Sequence, residues 1–306
     1  MTTARVWFIT GASRGLGRAF AEAALAAGDL VVAAARDLGP LADLAAAHPD
    51  GLVRLALDVT DREAVLRVVD QAAAAFGRLD IVVNNAGAML LGMVEEATEE
   101  QIRAQFDVNF FGAVWVTQAV VPHLRAQGSG HILQVTTMGT GGGVASAGFY
   151  AASKSALDSL GQALAMELAP FGIKVTIVQP GGYGTDLFTR GTTMAEPRPE
   201  YGPLRARLAE MWGEDAGPDP STAAPVIMEL AACRSRRCAS SSAAPPTTWS
   251  GRWTRPARRS TGPGSTSAAG LRAESEQVAC AGLDPPTARC STVSSTVKHT
   301  KGGGSR

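Results

Sequence analysis

The sequence predicts an α/β fold: a Rossmann-like, doubly wound parallel sheet flanked by helices, in a single domain. Three observations predict it. From residue 5 to about 232, short β-branched runs alternate with Ala-rich helical stretches. The runs are apolar at nearly every position rather than at every second one, so both faces of the strands are buried, as in a parallel sheet. The first strand-to-helix junction is a glycine-rich turn, Thr10-Gly11-Ala12-Ser13-Arg14-Gly15-Leu16-Gly17. In such a fold the ligand lies beyond the carboxyl ends of the strands.

In chain order, the expected strands are 6–10, 30–35, 52–57, 81–84, 131–136 and 173–178. The helices between them are expected at 16–27, 40–47, 61–76, 98–127 with a break near Gly112, 150–169 and 221–232. Asp61 and Thr98 stand where N-caps are needed. Residues 181–219 hold Gly, Pro and one short helical run at 204–211, a length typical of lids and binding loops.

Composition limits the function classes. The chain has 306 residues, 45% hydrophobic and 18% charged, with a formal net charge of +0, so nothing global points to nucleic acid or an anionic membrane. The neutral total hides a split. Residues 233–306 carry twelve Lys and Arg against three acids, a surplus of nine, whereas the first 232 residues carry 16 basic and 25 acidic side chains. All four cysteines (Cys233, Cys238, Cys280, Cys290) also lie in that last stretch, at spacings unlike compact zinc sites. His48, His123 and His131 form no cluster in sequence, and no metal is expected. Val6–Ile9 is too short for a signal-peptide core, and no run approaches the ~20 apolar residues of a membrane span. A soluble cytoplasmic protein is expected.

After Ala232 the periodicity stops. Residues 233–306 lack Ile, Phe, Met and Tyr and are rich in Ser, Thr, Pro, Arg, Ala and Gly. Such a segment buries too little apolar surface to offset its chain entropy. The expected division is a folded domain over 1–232 and a low-complexity, disordered tail over 233–306. The tail's scattered arginines, with Trp249 and Trp253 as its only aromatics, make a nucleic-acid or membrane tether a poor reading.

Three motifs carry chemistry. The glycines at 11, 15 and 17 let the backbone turn tightly and approach a pyrophosphate at a helix N-terminus. After the second strand, where an NAD site usually places an acid for the ribose, the sequence reads Ala34-Ala35-Arg36. Arg36 and Arg14 are candidates for the 2′-phosphate of NADP, with the neighbouring Asp37 dissenting. Tyr150-Ala-Ala-Ser-Lys154 puts a phenol and an ammonium four apart on one helix face. A free phenol titrates near ~10, too high for acid–base work at neutral pH, and a nearby ammonium lowers it.

Together these residues resemble the short-chain dehydrogenase/reductase family over 5 to about 232. The resemblance rests on the turn at 10–17, Asp58-Val59, Asn84-Asn85-Ala86-Gly87, Asn109, Tyr150–Lys154, and Pro180-Gly181 with Thr185. It implies an NADP(H)-dependent oxidoreductase, with NAD as the second option, moving a hydride between nicotinamide and a carbonyl or secondary alcohol. Tyr150 is then the general acid or base, Lys154 the residue that lowers its pKa and bonds the nicotinamide ribose, and Asn109 the holder of a relay water. The cofactor would be bound by Gly11, Ser13, Arg14, Gly15, Leu16, Gly17, Arg36, Asp58, Val59, Asn85, Ala86, Gly87, Tyr150, Lys154, Pro180, Gly181 and Thr185. Tyr183, Leu187, Phe188 and Met194 point to an apolar ketone or alcohol substrate. The family's use of the two long helices as a bundle implies a homodimer, with a tetramer as the further option.

Two departures stand out. The family's usual serine, thirteen residues before the tyrosine, is Thr137 here, whose hydroxyl can still donate to a substrate oxygen. The family's last β-branched strand is missing, and Cys233-Arg-Ser-Arg-Arg-Cys238 begins an unrelated register. A reading-frame shift in a high-G+C gene produces such text, and resequencing around codon 232 tests it. The competing functional reading is a catalytically silent nucleotide-binding regulator on the same fold. The intact Tyr150, Lys154 and Asn109 argue against it.

Overall fold

A computed structural model describes residues 4–212, 217–232 and 240–241. The strands and helices are β1 (Val6–Thr10), α1 (Gly15–Ala26), β2 (Leu30–Ala35), α2 (Ala42–Ala47), β3 (Leu52–Ala56), α3 (Arg62–Ala75), β4 (Ile81–Asn84), β5 (Met89–Leu91), α4 (Glu99–Phe106), α5 (Gly112–Gln127), β6 (Gly130–Val135), α6 (Gly148–Leu168), β7 (Ile173–Val178), β8 (Thr192–Met194), α7 (Gly202–Trp212), α8 (Ala224–Ala232) and β9 (Ser240–Ser241). The main sheet is parallel, in the order β3-β2-β1-β4-β6-β7-β9. The order reverses between β1 and β4, which opens a crevice at their carboxyl ends.

Strand pleat assigns successive side chains to opposite faces. Val6 and Phe8 join the core under α3, α5 and the end of α6. Trp7 and Ile9 join the other core, with Phe20 and Leu25 of α1 and Ile227 and Leu230 of α8. Both faces are therefore covered, which is why the strands read as continuous apolar runs.

The expected N-caps form. Asp61 accepts the Ala64 N–H at 2.9 Å, and Thr98 makes a capping box with Gln101. The long helix expected over 98–127 is three pieces: α4, a π-helical turn at Asp107–Phe111, and α5. Gly112 marks the join, where an added Cβ would lie 2.7 Å from Val59 Cγ2.

The structure adds two features to the sequence expectation. β5 pairs in parallel with β8, tying the 181–219 loop to the segment after β4. The edge expected to lack a final strand carries β9, whose two residues pair with Ile177 and Val178. Such pairing runs through the backbone, so two serines suffice where side-chain patterning shows no strand. The rest of the expected tail, 233–239 and 242–306, lies outside the described residues.

Candidate active site

The site is built on the carboxyl ends of β1, β2, β4, β6 and β7. After β1, Gly11 and Gly15 take φ of +64° and +54°, conformations that favour glycine. Gly17 is small for another reason: an added Cβ would lie 2.4 Å from both Asn85 Nδ2 and the Gly11 carbonyl oxygen. Thr10 locks this turn to the end of β4. Its hydroxyl donates to the Val83 carbonyl and accepts the N–H groups of Asn85 and Ala86, each at 3.1 Å. Asn85 Nδ2 donates back to the Thr10 and Gly11 carbonyls. No side chain caps α1 at Arg14, and its first turn has no acid. The N–H groups and positive helix end therefore face a cradle shaped for an anion. This cradle fits a dinucleotide pyrophosphate. Ser13 and Leu16 lie within the same turn.

At the end of β2, Arg36 is exposed and has no ion-pair partner among the described residues. The Asp37 carboxylate turns back to accept the Gly39 N–H at 2.9 Å. Arg14 sits 3.9 Å from Asp186, so its guanidinium has a competing anion. Beyond β3, exposed Asp58 accepts the N–H and hydroxyl of Thr60, and Val59 is buried.

Tyr150 and Lys154 share α6, facing the end of β6. Burial pushes the Tyr150 phenol's pKa up, and the neighbouring Thr137 hydroxyl opposes the rise. Thr137 also accepts the Gly139 N–H, capping the 3₁₀ turn Met138–Gly141. Lys154 is 3% exposed, and burial pulls its pKa down to about 8. Its Nζ donates to the Val135 carbonyl at 2.8 Å. The ammonium is thereby anchored to the strand end, one helical turn from Tyr150.

Asn109 is wholly buried in the π turn. Its Oδ1 accepts the Ala88 N–H at 2.8 Å, and its Nδ2 donates to the Ala88 carbonyl and to Ser153 Oγ. Ser153, also wholly buried, donates to the Tyr150 carbonyl at 2.8 Å. The expected water-holding asparagine therefore spends its side-chain amide on the protein, joining the end of β4 to the tyrosine's turn of α6. Sequence reasoning passed over Ser153, although it stands inside the Tyr150–Lys154 motif. Gly87 fits this corner because an added Cβ would lie 3.3 Å from Asn109 Oδ1 and 3.4 Å from Lys154 Nζ.

After β7, the Pro180 carbonyl accepts the Met138 N–H at 3.0 Å, and Gly181 follows. Thr185 folds over the glycine turn, its Cβ 3.2 Å from where a Gly15 side chain would begin. The 181–219 segment is pinned by an ion pair to buried Glu96. Glu96 receives the Arg205 guanidinium and the N–H groups of Arg198 and Met93. Burial pushes the Glu96 carboxyl up, but these donors outweigh it and hold the pKa at about 2. Tyr183, which the sequence leaves equally open to pocket lining or core packing, is buried with Ala223 and Ile227. Val94, Met138, Phe188 and Met194 leave large apolar surface exposed. Among the described residues, no three His, Cys, Asp or Glu side chains are placed to hold a metal, and no helix is long and apolar enough to cross a membrane.

Comparison with known proteins places this geometry in context. Residues 5–195 match the short chain dehydrogenase family. An oxidoreductase of Botryotinia fuckeliana, BOA17, is 43% identical over 194 residues, 63% of this chain and 70% of its own. A 3-ketodihydrosphingosine reductase of Bacteroides thetaiotaomicron is 38% identical over 193 residues, 63% and 68% of the two chains. A short-chain dehydrogenase structure from Streptomyces avermitilis superposes with a TM-score of 0.72 at 39% identity, over 80% of this chain and 89% of the other. Two further structures are each 26% identical and cover 74% of this chain. One, from Burkholderia phymatum, contains NAD (TM-score 0.64, 85% of its chain). The other, an alcohol dehydrogenase from Thermococcus sibiricus, contains 5-hydroxy-NADP (TM-score 0.62, 90%).

Proposed function

The chain belongs to the short-chain dehydrogenase family, and we propose that it reduces the carbonyl of a small, apolar ketone with NADPH, or oxidises the matching alcohol. It is an NAD(P)-dependent dehydrogenase/reductase acting on CH–OH and C=O groups. The observation that carries the proposal is the convergence of three groups: the Tyr150 phenol, the Thr137 hydroxyl that opposes the rise in its pKa, and Lys154 one helical turn on, with Nζ 3.4 Å from where a Gly87 Cβ would stand.

The nicotinamide, when bound, supplies or accepts the hydride. Gly11, Ser13, Arg14, Gly15, Leu16 and Gly17 hold the pyrophosphate on the N-terminus of α1. Asp58 and Val59 meet the adenine. Asn85, Ala86 and Gly87 form the floor, and Pro180, Gly181 and Thr185 close over the carboxamide. Arg36 reads the 2′-phosphate. Support comes from Asp37, whose carboxylate is committed to Gly39 rather than offered to a ribose.

Burial keeps the phenol protonated at neutral pH, which suits a donor. Tyr150 passes its proton to the substrate oxygen as negative charge develops there, and Thr137 donates a second bond to that oxygen. With its pKa near about 8, Lys154 is mostly ammonium at neutral pH and favours the phenolate left behind. Asn109 keeps this corner rigid, and its Oδ1, which accepts one N–H, has a second lone pair for a relay water. The exposed Val94, Met138, Phe188 and Met194 support an apolar substrate, and the name of the Bacteroides relative agrees with one. Exposed Phe111, beside α5, and Met166, on α6, support pairing as a cytoplasmic homodimer through those helices. The text after residue 232 we assign to a reading-frame shift, within which Ser240 and Ser241 pair with the sheet edge.

The test follows nicotinamide absorbance with NADPH and NADH against a panel of apolar ketones. Turnover with a preference for NADPH is expected. Tight nucleotide binding without turnover of any ketone would make the chain a silent binder.

A further inference from the structure

The face of α6 that carries Tyr150 and Lys154 continues one turn on, to Asp158. This carboxylate is 8% exposed, and its hydrogen-bond donors among the described residues are all neutral. Gln162 Nε2 donates to Oδ1 at 2.7 Å, while Gln179 Nε2 (2.7 Å) and the Thr140 hydroxyl (3.3 Å) donate to Oδ2. Burying a carboxylate without a counter-charge is costly, so its presence calls for a reason. An ionised carboxylate is acceptor-only and can receive all three donors at once.

Those donors reach the chemistry from two sides. Thr140 belongs to the 3₁₀ turn whose first residue is Met138, and its N–H bonds the Thr137 carbonyl at 3.2 Å. Ser155, also on α6, donates to the Thr140 carbonyl. Gln179 Nε2 donates to Thr140 Oγ1 as well, at 2.9 Å, and precedes Pro180, whose carbonyl holds the Met138 N–H. One buried acceptor therefore clamps the Thr137-bearing turn and the start of the 180–185 segment to the helix that carries Tyr150.

We propose that Asp158 is a positioning residue for carbonyl reduction: through Thr140 and Gln179 it holds the Thr137 hydroxyl in register with the Tyr150 phenol. It acts as a hydrogen-bond acceptor rather than as a charge or a base. The inference rests on the function proposed above.

Two readouts test it. In steady-state reduction, Asp158→Ala is expected to lower kcat about 10- to 100-fold, the scale of a misplaced catalytic group, with the affinity for NADPH within about twofold of wild type. Asp158→Asn is expected to restore most of the rate, because its carbonyl can accept from Thr140 and Gln179 while the Gln162 amide flips. Gln162→Ala, which removes only the helix-internal donor, is expected to leave kcat unchanged. The second readout needs no turnover. The Tyr150 phenol titration, read as a difference spectrum against Tyr150→Phe, is expected to move upward in Asp158→Ala and in Thr137→Val alike, and to stay put in Asp158→Asn. Should Asp158→Ala fail to fold, Gln179→Leu cuts the same link and is expected to give the same shift. If Thr137→Val moves the titration and neither Asp158→Ala nor Gln179→Leu does, the inference is overturned, whether or not the wild type turns over a ketone. A wild type that reduces nothing, with the titration shifts as stated, overturns only the parent reading.

Discussion

Gly17→Ala puts a methyl group where the structure has no room. Its Cβ would stand 2.4 Å from Asn85 Nδ2 and from the Gly11 carbonyl oxygen, about 1 Å inside ordinary contact. The Gly11 oxygen is backbone and cannot swing away, so the amide of Asn85 must give. That amide donates to the Thr10 and Gly11 carbonyls at 2.9 and 3.2 Å. Losing both bonds costs about 0.5–1.5 kcal/mol each, and overpacking adds about 1–3 kcal/mol. The better helix propensity of alanine returns at most about 1 kcal/mol. The net loss is about 1–5 kcal/mol, or roughly 2–20 °C in Tm for a domain of this size. Because the same turn holds the pyrophosphate, nucleotide affinity should fall at least about tenfold. Thermal melts and nucleotide titration by intrinsic fluorescence measure both quantities. Gly143→Ala, with nothing within 4 Å, is the control and should stay within about 0.5 kcal/mol of wild type. A Gly17→Ala protein that melts and binds nucleotide like the wild type would refute the close approach of β1, α1 and β4 described here.

Arg36→Ala should weaken NADPH by about tenfold or more while leaving NADH nearly unchanged, as expected for a lost charge-assisted contact; titrating both nucleotides into one preparation checks it. Thr137→Val keeps the shape but removes the hydroxyl. It should lower kcat by about 10²-fold, read in steady-state reduction, with nucleotide affinity unchanged. Burial, helped by the charge of Lys174, pulls the His131 imidazole down to about 4. The unfolded chain then binds more protons than the folded one between pH 6.5 and 4. Stability should therefore fall by ~3 kcal/mol as pH drops through that window, and be fully present above it. Urea unfolding at several pH values checks this, and His131→Gln should flatten the slope.

Most of the framework could be read from residue order. Continuous apolar strands and glycines placed between strand and helix specify the sheet, because both express local rules of burial and backbone freedom. β5 and β8 escaped notice because three-residue strands carry too little pattern, and their pairing joins segments about a hundred residues apart. β9 escaped because Ser240 and Ser241 contribute only backbone. At the site, Tyr150, Lys154 and Thr137 were identifiable as chemistry. What they touch was not: the Lys154 ammonium on the Val135 carbonyl, the Asn109 amide spent on Ala88 and Ser153, and Tyr183 in the core depend on how β4, β6 and α6 meet in space. The Glu96–Arg205 pair joins residues 109 apart and has no sequence signature.

The proton donor is the central claim, and replacing it with phenylalanine tests that claim most directly. Tyr150→Phe should bind NADPH as tightly as the wild type and reduce ketones about 10²- to 10⁴-fold more slowly, the range attributable to a positioned acid. A Tyr150→Phe protein that reduces the same ketones at the wild-type rate would contradict the account.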